Sequence, residues 1–251
     1  MSKLVLITGA TSGIGRATAL LLAEKGINLI ITGRREDRLL SLKKELEMKH
    51  VRVLTLCFDV RDEPSVKEML GKLPAAWSKI DVLVNNAGLA AGLGTVQNGN
   101  MDDWERMIDT NVKGLLYVTR AIAPGMVERN SGHIINIGSI AGKEVYPNGN
   151  VYCATKHAVD ALTKGMRIDM LPHNIKVTQI CPGAVETEFS LIRFHGDKAR
   201  ADKVYEGYEN LVAEDIADCI WFVISRPPHV NINDMVVMPT AQASATIFHK
   251  V

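Results

Sequence analysis

The chain has 251 residues, and its 29 Lys and Arg residues nearly balance its 28 Asp and Glu residues, which gives a formal net charge of +1. Nucleic acid and anionic membranes attract strongly basic surfaces, so this balance argues against both as partners. Apolar residues make up 47% of the sequence and charged residues 23%, a composition typical of a globular protein rather than a disordered or fibrous one.

The sequence carries no targeting or membrane-spanning pattern. No apolar run approaches the roughly 18 residues of a membrane span, and the N-terminus opens directly into a strand-like segment rather than a signal peptide. We therefore expect a cytoplasmic protein. The four cysteines are far apart and form no Cys-x-x-Cys pair, so we expect neither a metal site nor a disulfide framework. They are Cys57, Cys153, Cys181 and Cys219.

Short β-branched or Leu-rich runs alternate with longer amphipathic stretches, a pattern typical of a parallel sheet built from βαβ units. Seven strands are predicted, at 4–8, 28–32, 51–57, 82–85, 133–137, 176–180 and 235–238. Helices are predicted between them at 14–25, 36–48, 63–72, 102–128, 152–170 and 213–225. No linker or repeat divides the chain. We predict one doubly wound α/β domain of the Rossmann type, residues 1–251, with its ligands beyond the carboxyl ends of the strands.

The turn after the first predicted strand is rich in glycine. Gly9 allows a tight turn, Gly13 lets the main chain approach a pyrophosphate, and Gly15 lets helix and strand pack closely. The spacing is Gly-x-x-x-Gly-x-Gly rather than the standard Gly-x-Gly-x-x-Gly, and a turn that merely connects strand to helix is the alternative. The predicted phosphate-binding residues are Gly9, Thr11, Ser12, Gly13, Ile14 and Gly15.

The second predicted strand ends in Gly33, Arg34 and Arg35. NAD enzymes normally place a carboxylate there to bind the ribose 2′-hydroxyl group. Two guanidinium groups suit a 2′-phosphate instead, so we predict NADP as the cofactor. Glu36 and Asp37 are the counterargument, and their alternative role is to complement the dipole at the start of the next helix.

Asp59 follows the third predicted strand and could accept a hydrogen bond from the adenine amino group. The alternative is that it caps the turn before Arg61.

Tyr152 and Lys156 are four residues apart on a predicted helix, so both project from one face. An adjacent ammonium group stabilises a phenolate and lowers its pKa, which makes a tyrosine useful as an acid and base. This pair alone is common by chance and could be a solvated helix face. However, Ser139 follows the fifth predicted strand, where a substrate oxygen would be held, and Asn111 lies inside a helix, where asparagine is disfavoured.

Together these motifs resemble the short-chain dehydrogenase/reductase family over essentially the whole chain. The matching elements are residues 8–15, Asn85-Asn86-Ala87-Gly88, Asn111, Ser139, Tyr152 with Lys156, and Pro182-Gly183 with Thr187. The resemblance implies a metal-free enzyme that interconverts an alcohol and a carbonyl with NAD(P).

The resemblance also implies a role for each residue of the motifs. Tyr152 would be the acid and base, Lys156 would lower its pKa and hold the nicotinamide ribose, and Ser139 would orient the substrate oxygen. Asn111 would hold a water in a proton relay. The further cofactor contacts that it implies are Asp59, Val60, Asn86, Ala87, Gly88, Pro182, Gly183, Val185 and Thr187.

Within that family the sequence resembles the NADP-dependent 3-hydroxy acid dehydrogenases, through residues 32–35, 104–111, 124–127, 132–139 and 229–233. That group acts on serine, allo-threonine and 3-hydroxypropionate, so a small hydroxy acid or carbonyl substrate and a homotetramer are expected. Lys143 and Glu144 depart from the group in the loop after Ser139, which leaves the substrate open. The alternatives are a broad carbonyl or diketone reductase and a non-catalytic NADP(H) sensor.

Residues 186–208 have mixed composition and no strong period, and they resemble a substrate lid. Within this segment Arg193 is a candidate for pairing with a substrate carboxylate, because its planar fork matches one. The alternative is a surface ion pair with Glu188 or Asp197. Tyr146 and Asn150 would wall the substrate pocket or simply shape their loop.

Overall fold

A seven-stranded parallel sheet forms the centre of the structure, a computed structural model that describes residues 3–251. The strands are β1 (Leu4–Ile7), β2 (Asn28–Gly33), β3 (Val53–Cys57), β4 (Val82–Asn85), β5 (Gly132–Ile137), β6 (Ile175–Pro182) and β7 (Asp234–Val237). Their order across the sheet is β3-β2-β1-β4-β5-β6-β7. The predicted doubly wound α/β fold is therefore confirmed.

Helices cover both faces of this sheet. They are α1 (Gly13–Glu24), α2 (Glu36–Glu47), α3 (Glu63–Gly71), α4 (Met101–Ile108), α5 (Leu115–Glu128), α6 (Asn150–Met170), α7 (Phe189–Arg193), α8 (Lys198–Lys203) and α9 (Ala213–Ile224). No helix within residues 3–251 is long and apolar enough to cross a membrane.

The strands are buried on both faces, which explains their continuous apolar sequences. Along β1, Val5 and Ile7 face a cluster that includes residues of α1, α2 and α9, whereas Leu6 faces a cluster with residues of α3, α5 and α6. Each of these three side chains has no exposed surface. Two apolar layers therefore hold the strands in register between the helices.

The chain runs outward from β1 to β2 and β3 and then returns to place β4 on the other side of β1. The strand order reverses between β1 and β4. Connections on the two sides of this point diverge, which leaves a crevice at the carboxyl ends of the strands. The turns that carry the predicted site residues all lie at this edge.

The predicted helix 102–128 has the expected extent, but it is not a continuous α-helix. A π-helical turn, Asp109–Gly114, separates α4 from α5. Asn111 lies in this turn, and its side chain bonds to both main-chain polar groups of Leu89. The wider turn thus gives a helix-disfavoured residue a partner outside the helix, and such turns are frequent at functional sites.

Two short helices, α7 and α8, occupy the predicted lid and were not expected from its sequence. Asp197 caps α8, because its side chain accepts a hydrogen bond from the main-chain N–H of Arg200. The main-chain N–H of Gly92 donates to the carbonyl oxygen of Arg193 at 2.8 Å, which ties the lid to the loop after β4. The segment therefore packs against the loop after β4.

Candidate active site

A cavity of about 740 Å³ opens at the carboxyl ends of β1, β2, β4, β5 and β6. Every residue predicted to contact the cofactor lines it except Gly15, and so do Ser139, Tyr146 and Arg193. Asn111 and Asn150 do not line it. Residues that are more than a hundred positions apart in the sequence therefore line the same cavity.

The glycine-rich turn forms one end of the cavity. Gly9 and Gly13 have φ of +67° and +50°, a backbone conformation that favours glycine. A Cβ atom on Gly15 would lie 2.5 Å from both the Gly9 carbonyl oxygen and Asn86 Nδ2. Gly15 thus lets α1 approach the turn and β4 rather than touching the cavity. Ser12 precedes α1 without a side-chain capping bond, which leaves main-chain N–H groups available to an anion.

Arg34 and Arg35 lie at the same end, after β2. Arg35 Nη2 donates to Thr11 Oγ1 at 2.8 Å and to Ser12 Oγ at 2.9 Å, so its guanidinium group lies against the glycine-rich turn. Arg34 Nη1 lies 3.6 Å from a carboxylate oxygen of Asp59, and its side chain is half exposed. Two cationic side chains therefore lie at the end of the cavity that is next to the end of β2.

Glu36 and Asp37 form the exposed first turn of α2 and do not line the cavity. This position suits their alternative role at the helix start. Asp59 does line the cavity, but its carboxylate also accepts from the main-chain N–H and the guanidinium group of Arg61, at 2.7–3.1 Å. The local turn contact expected as the alternative is thus present.

Tyr152 and Lys156 lie one turn apart on α6, and both side chains are buried. Lys156 Nζ donates to the carbonyl oxygen of Ile137 at 2.9 Å, where β5 ends. Burial lowers the pKa of Lys156 to about 8, because the charged ammonium loses hydration. The α6 helix and the end of β5 therefore fix the lysine from two sides.

The pKa of Tyr152 differs from the sequence-based expectation. Burial raises it above its usual value and the nearby Tyr146 raises it further, while the Arg193 charge and a hydrogen bond with Ser139 lower it. Lys156, which was expected to lower this pKa, is not among these influences. The reason is geometric, since the ammonium donates to the Ile137 carbonyl oxygen and lies 6.0 Å from the centroid of the tyrosine ring.

Ser139 begins the turn after β5. Its Oγ accepts a hydrogen bond from the main-chain N–H of Ala141 at 3.1 Å, which fixes the hydroxyl at the cavity wall. Its hydrogen atom is directed toward the carbonyl oxygen of Pro182 at a distance of 3.5 Å. This contact is weak, so the hydroxyl is available to another acceptor.

Asn111 lies behind the cavity. Its Oδ1 accepts from the main-chain N–H of Leu89 at 2.9 Å, and its Nδ2 donates to the Leu89 carbonyl oxygen and to Thr155 Oγ1. Thr155 lies on α6 between Tyr152 and Lys156. The side chain of Asn111 therefore joins the loop after β4 to α6. The water-holding role that the resemblance implies stays a prediction.

Arg193 reaches into the cavity from the lid. Its guanidinium carbon lies 5.0 Å from the centroid of the Tyr152 ring, 5.6 Å from that of Tyr146 and 5.4 Å from that of Phe189. It also donates to the Tyr146 hydroxyl group. Its buried Nε has no hydrogen-bond partner among residues 3–251. The alternative of an ion pair with Glu188 or Asp197 is not what the structure shows.

Asn150, Lys143 and Glu144 do not line the cavity, and Asn150 takes the second of the two roles expected for it. Asn150 does not wall the cavity, because its Nδ2 donates to the carbonyl oxygen of Gly94 at 2.8 Å and so shapes its own loop. Lys143 also turns away from the cavity and pairs with Asp160 and Asp234. Glu144 instead accepts a hydrogen bond from the main-chain N–H of Ala245 at 2.8 Å, which ties the C-terminal segment to this loop.

Several cavity residues were not identified from the sequence. Phe189 packs edge-on against Tyr152, with ring centroids 5.6 Å apart. Glu188 pairs with Arg35, and Gln242 accepts from the main-chain N–H of Ala184 at 2.8 Å. These side chains belong to the lid and the C-terminal segment, which lack a periodic pattern or a motif that would have singled them out.

The donor set fits a phosphorylated dinucleotide. The turn requires glycine at position 9, because a Cβ atom there would lie 2.9 Å from the Ala87 Cα. The first N–H groups of α1 have no side-chain cap. Guanidinium groups lie beside that turn, and Tyr152 and Lys156 line the far end of the cavity. Among residues 3–251 no group of His, Cys, Asp and Glu side chains could hold a metal ion.

Comparison with known proteins agrees with this geometry. The model of the short chain dehydrogenase family matches residues 3–195. NADP-dependent 3-hydroxy acid dehydrogenase YdfG of Salmonella typhi is 51% identical over 243 residues, which cover 96% of this chain and 97% of that protein. Sulfoacetaldehyde reductase 2 of Chromohalobacter salexigens is 47% identical over 244 residues, which cover 97% and 96%.

Among solved structures, the closed form of serine dehydrogenase complexed with NADP+ superposes with a TM-score of 0.93 at 46% identity and covers 99% of both chains. Levodione reductase superposes with a TM-score of 0.85 at 26% identity, covering 94% of this chain and 95% of the other.

Proposed function

The chain belongs to the short chain dehydrogenase family and is an oxidoreductase that acts on hydroxyl groups, and we propose that its substrates are short 3-hydroxy acids such as serine or 3-hydroxypropionate. The single observation that carries this proposal is the partly buried Arg193 guanidinium group beside Tyr152, since it puts a cation next to the proposed acid–base group. A substrate with a carboxylate close to its alcohol can use both.

The cofactor is NADP. Relatives at about half identity are named NADP-dependent, and the serine dehydrogenase structure contains NADP+. In this chain we assign the phosphates to the turn from Gly9 to Gly15 and the 2′-phosphate to Arg34 and Arg35. Glu36 and Asp37, which could have bound a ribose hydroxyl, are directed to solvent instead. When bound, NADP supplies the hydride acceptor for alcohol oxidation and NADPH the donor for the reverse reaction.

Tyr152 moves the proton in this proposal. During carbonyl reduction its Oη, which burial keeps protonated, gives a proton to the substrate oxygen. During alcohol oxidation the phenolate form takes that proton from the substrate hydroxyl, so oxidation should be faster at alkaline pH. Ser139 holds that oxygen through its Oγ, whose bond to the Pro182 carbonyl oxygen is weak enough to be replaced. Lys156 holds the nicotinamide ribose, and Asn111 positions α6 through Thr155.

The lid closes the cavity over the substrate and excludes water from it. Phe189 and Tyr146 provide the apolar walls around the guanidinium group of Arg193, where a carboxylate would be recognised in a site of low polarity. Such a site strengthens a charge-assisted hydrogen bond. The named substrates of the relatives agree, because serine and 3-hydroxy acids carry a carboxylate and sulfoacetaldehyde carries a sulfonate.

A substrate panel followed by NADPH absorbance tests the proposal. Serine, 3-hydroxypropionate and 3-hydroxybutyrate should be oxidised with higher kcat/KM than neutral alcohols of the same length. If the kcat/KM for reduction of a neutral diketone exceeds that for every acid substrate, the result would instead support a broad carbonyl reductase. NADPH binding without turnover of any compound would support a sensor, which the complete set of Asn111, Ser139, Tyr152 and Lys156 argues against.

A further inference from the structure

Glu188, at the start of the lid, lies between two arginines near the proposed 2′-phosphate site. Its carboxylate accepts hydrogen bonds from Arg35 Nη1 at 3.2 Å and from Arg38 Nη1 at 2.8 Å. All three side chains are about two-fifths exposed. Burial raises the pKa of Glu188 less than the two arginines lower it, so the group is anionic at neutral pH.

We propose that Glu188 is a specificity-determining residue that competes with the 2′-phosphate of NADP for Arg35. This inference rests on the assignment of NADP as the cofactor and goes beyond it, because Glu188 then sets how strongly the phosphate is preferred over a ribose hydroxyl. A phosphate and a carboxylate need the same guanidinium donors, and both are negatively charged.

Arg35 does not depend on Glu188 for its position. Its Nε and Nη2 donate to Thr11 Oγ1 at 3.2 and 2.8 Å, and Nη2 also donates to Ser12 Oγ. These hydroxyl groups hold the guanidinium plane against the glycine-rich turn. Removing the carboxylate would therefore leave Arg35 in place with a free donor, rather than release it into solvent.

The second carboxylate near the strand end is already engaged. Asp59 accepts four hydrogen bonds from Arg61 and lies 3.6 Å from Arg34. The main partner of Asp59 is therefore Arg61, which is neither of the two arginines at the end of β2. Glu188 differs, since every cation bonded to it comes from the strand end or from the first turns of α2. Glu188 is thus the carboxylate whose bonds a 2′-phosphate would replace.

The position of Glu188 also connects phosphate recognition to the lid. Glu188 precedes α7 directly, and the neighbouring Thr187 lies 3.4 Å from where a Cβ on Gly13 would stand. The start of the lid therefore touches both the turn that receives the pyrophosphate and the arginine that receives the 2′-phosphate.

The test is titration of ligands that differ only at the 2′ position. Binding of 2′,5′-ADP, 5′-AMP, NADPH and NADH is measured by calorimetry with the unmodified protein, Glu188→Gln and Glu45→Gln. Glu45 is the matched control, because it forms a similarly exposed ion pair with Arg16, at 2.7 Å, on the outer helices. Both variants remove one negative charge and keep a side chain of the same shape.

Glu188→Gln should bind 2′,5′-ADP and NADPH about three- to fivefold more tightly, as expected when one exposed ion pair no longer competes. Its affinities for 5′-AMP and NADH should stay within about twofold of those of the unmodified protein, because neither ligand has a 2′-phosphate that competes with Glu188. Glu45→Gln should change none of the four.

Equal changes for both members of a ligand pair, or weaker binding of 2′,5′-ADP by Glu188→Gln, would overturn the proposal. If the unmodified protein prefers 2′,5′-ADP and Glu188→Gln behaves identically, this inference fails while the cofactor assignment stands. If the unmodified protein does not distinguish 2′,5′-ADP from 5′-AMP, the cofactor assignment itself fails.

Discussion

Lys156 Nζ lies 6.0 Å from the centroid of the Tyr152 ring, one turn further along α6, and donates to the main chain at the end of β5. The two side chains are therefore held by one rigid helix against one strand. Replacing the phenol should disturb neither the helix nor the lysine, which makes the chemical role of Tyr152 separable from its structural role.

Tyr152→Phe should bind NADPH within about twofold of the unmodified protein and lose about 10²- to 10⁴-fold in kcat, the usual contribution of a proton-transfer group. The ring and its contact with Phe189 remain, while the proton donor is lost. Fluorescence titration measures the first quantity and steady-state kinetics the second. Turnover close to normal would show that another group transfers the proton.

Arg193→Met should raise the KM for serine or 3-hydroxypropionate about 10- to 100-fold, because a charge-assisted contact with the carboxylate is lost. The KM for a neutral alcohol of similar size should change little. Arg200→Met is the control, since Arg200 also stacks on an aromatic ring of the lid, that of Phe194 at 4.5 Å. Equal KM increases for acid and neutral substrates would mean that Arg193 supports only the lid.

Arg34→Asp should weaken NADP binding at least about tenfold, since a contact with the 2′-phosphate is replaced by repulsion. NAD binding should be little affected or improved, because a carboxylate can accept from the ribose hydroxyl. Direct titration with both cofactors measures the change, and Lys67→Asp, at an exposed position of α3, provides the same charge reversal elsewhere. An equal loss for both cofactors would assign Arg34 to the fold or to the adenine.

His133 should make the protein less stable in mild acid. Burial lowers the pKa of its imidazole from 6.5 to about 3, with smaller effects of Lys176 and Lys3, and Nε2 lies 2.8 Å from Thr178 Oγ1. Between these two pH values the unfolded chain binds a proton that the folded chain does not. Stability therefore falls as the pH drops below 6.5, by about 2 kcal/mol between pH 7 and pH 5 from this group alone.

Urea unfolding of the unmodified protein and of His133→Asn at both pH values, at fixed protein concentration, measures this effect. The asparagine keeps a polar partner for Thr178 but does not titrate. The difference in unfolding free energy between the two proteins should change by about 2 kcal/mol between pH 7 and pH 5. A difference that does not change with pH would mean that His133 can be protonated without cost in the folded state.

Light scattering at micromolar concentration should report a particle of four times the 27.5 kDa chain mass. The expectation follows from the resemblance of the sequence and from apolar side chains that remain exposed on the helices α4 to α6. Met101 is 61% exposed and Ile168 is 74% exposed. Symmetric assembly would cover such residues. A monomer at this concentration would contradict the expectation.

The fold was predictable because the strands of a sheet buried on both faces are continuous apolar runs. The run Leu29-Ile30-Ile31 reads as a strand from composition alone and is fully buried. The ends of the strands were predicted less accurately. Val51 was included in the third strand although β3 begins at Val53, and the sixth strand continues to Pro182.

That Ser139, Tyr152 and Lys156 line one cavity was predictable because they occur in motifs with fixed spacing, whereas their surroundings were not. The π-helical turn around Asn111 depends on its bonds to Leu89, which is 22 residues away in the chain. The position of Glu188 between Arg35 and Arg38 depends on how the lid folds back over β2. Such contacts between distant residues leave no periodic signal in the sequence.

Of the seven strands β1 is synthesised before the others, yet it lies in the interior of the sheet. One of its edges pairs with β2, but the other waits for β4, whose partner for Ile7 is Val84. Synthesis of the intervening stretch, about 75 residues, takes roughly 4–15 seconds at typical ribosomal rates. During that interval the nascent chain presents an unpaired edge built from Leu4, Val5, Leu6 and Ile7, and unpaired apolar edges are where chains associate wrongly. Docking of α1 and α2 would cover only one face of the sheet and would leave this edge unpaired. Chaperones that bind extended apolar segments should therefore recognise this chain most strongly before β4 emerges.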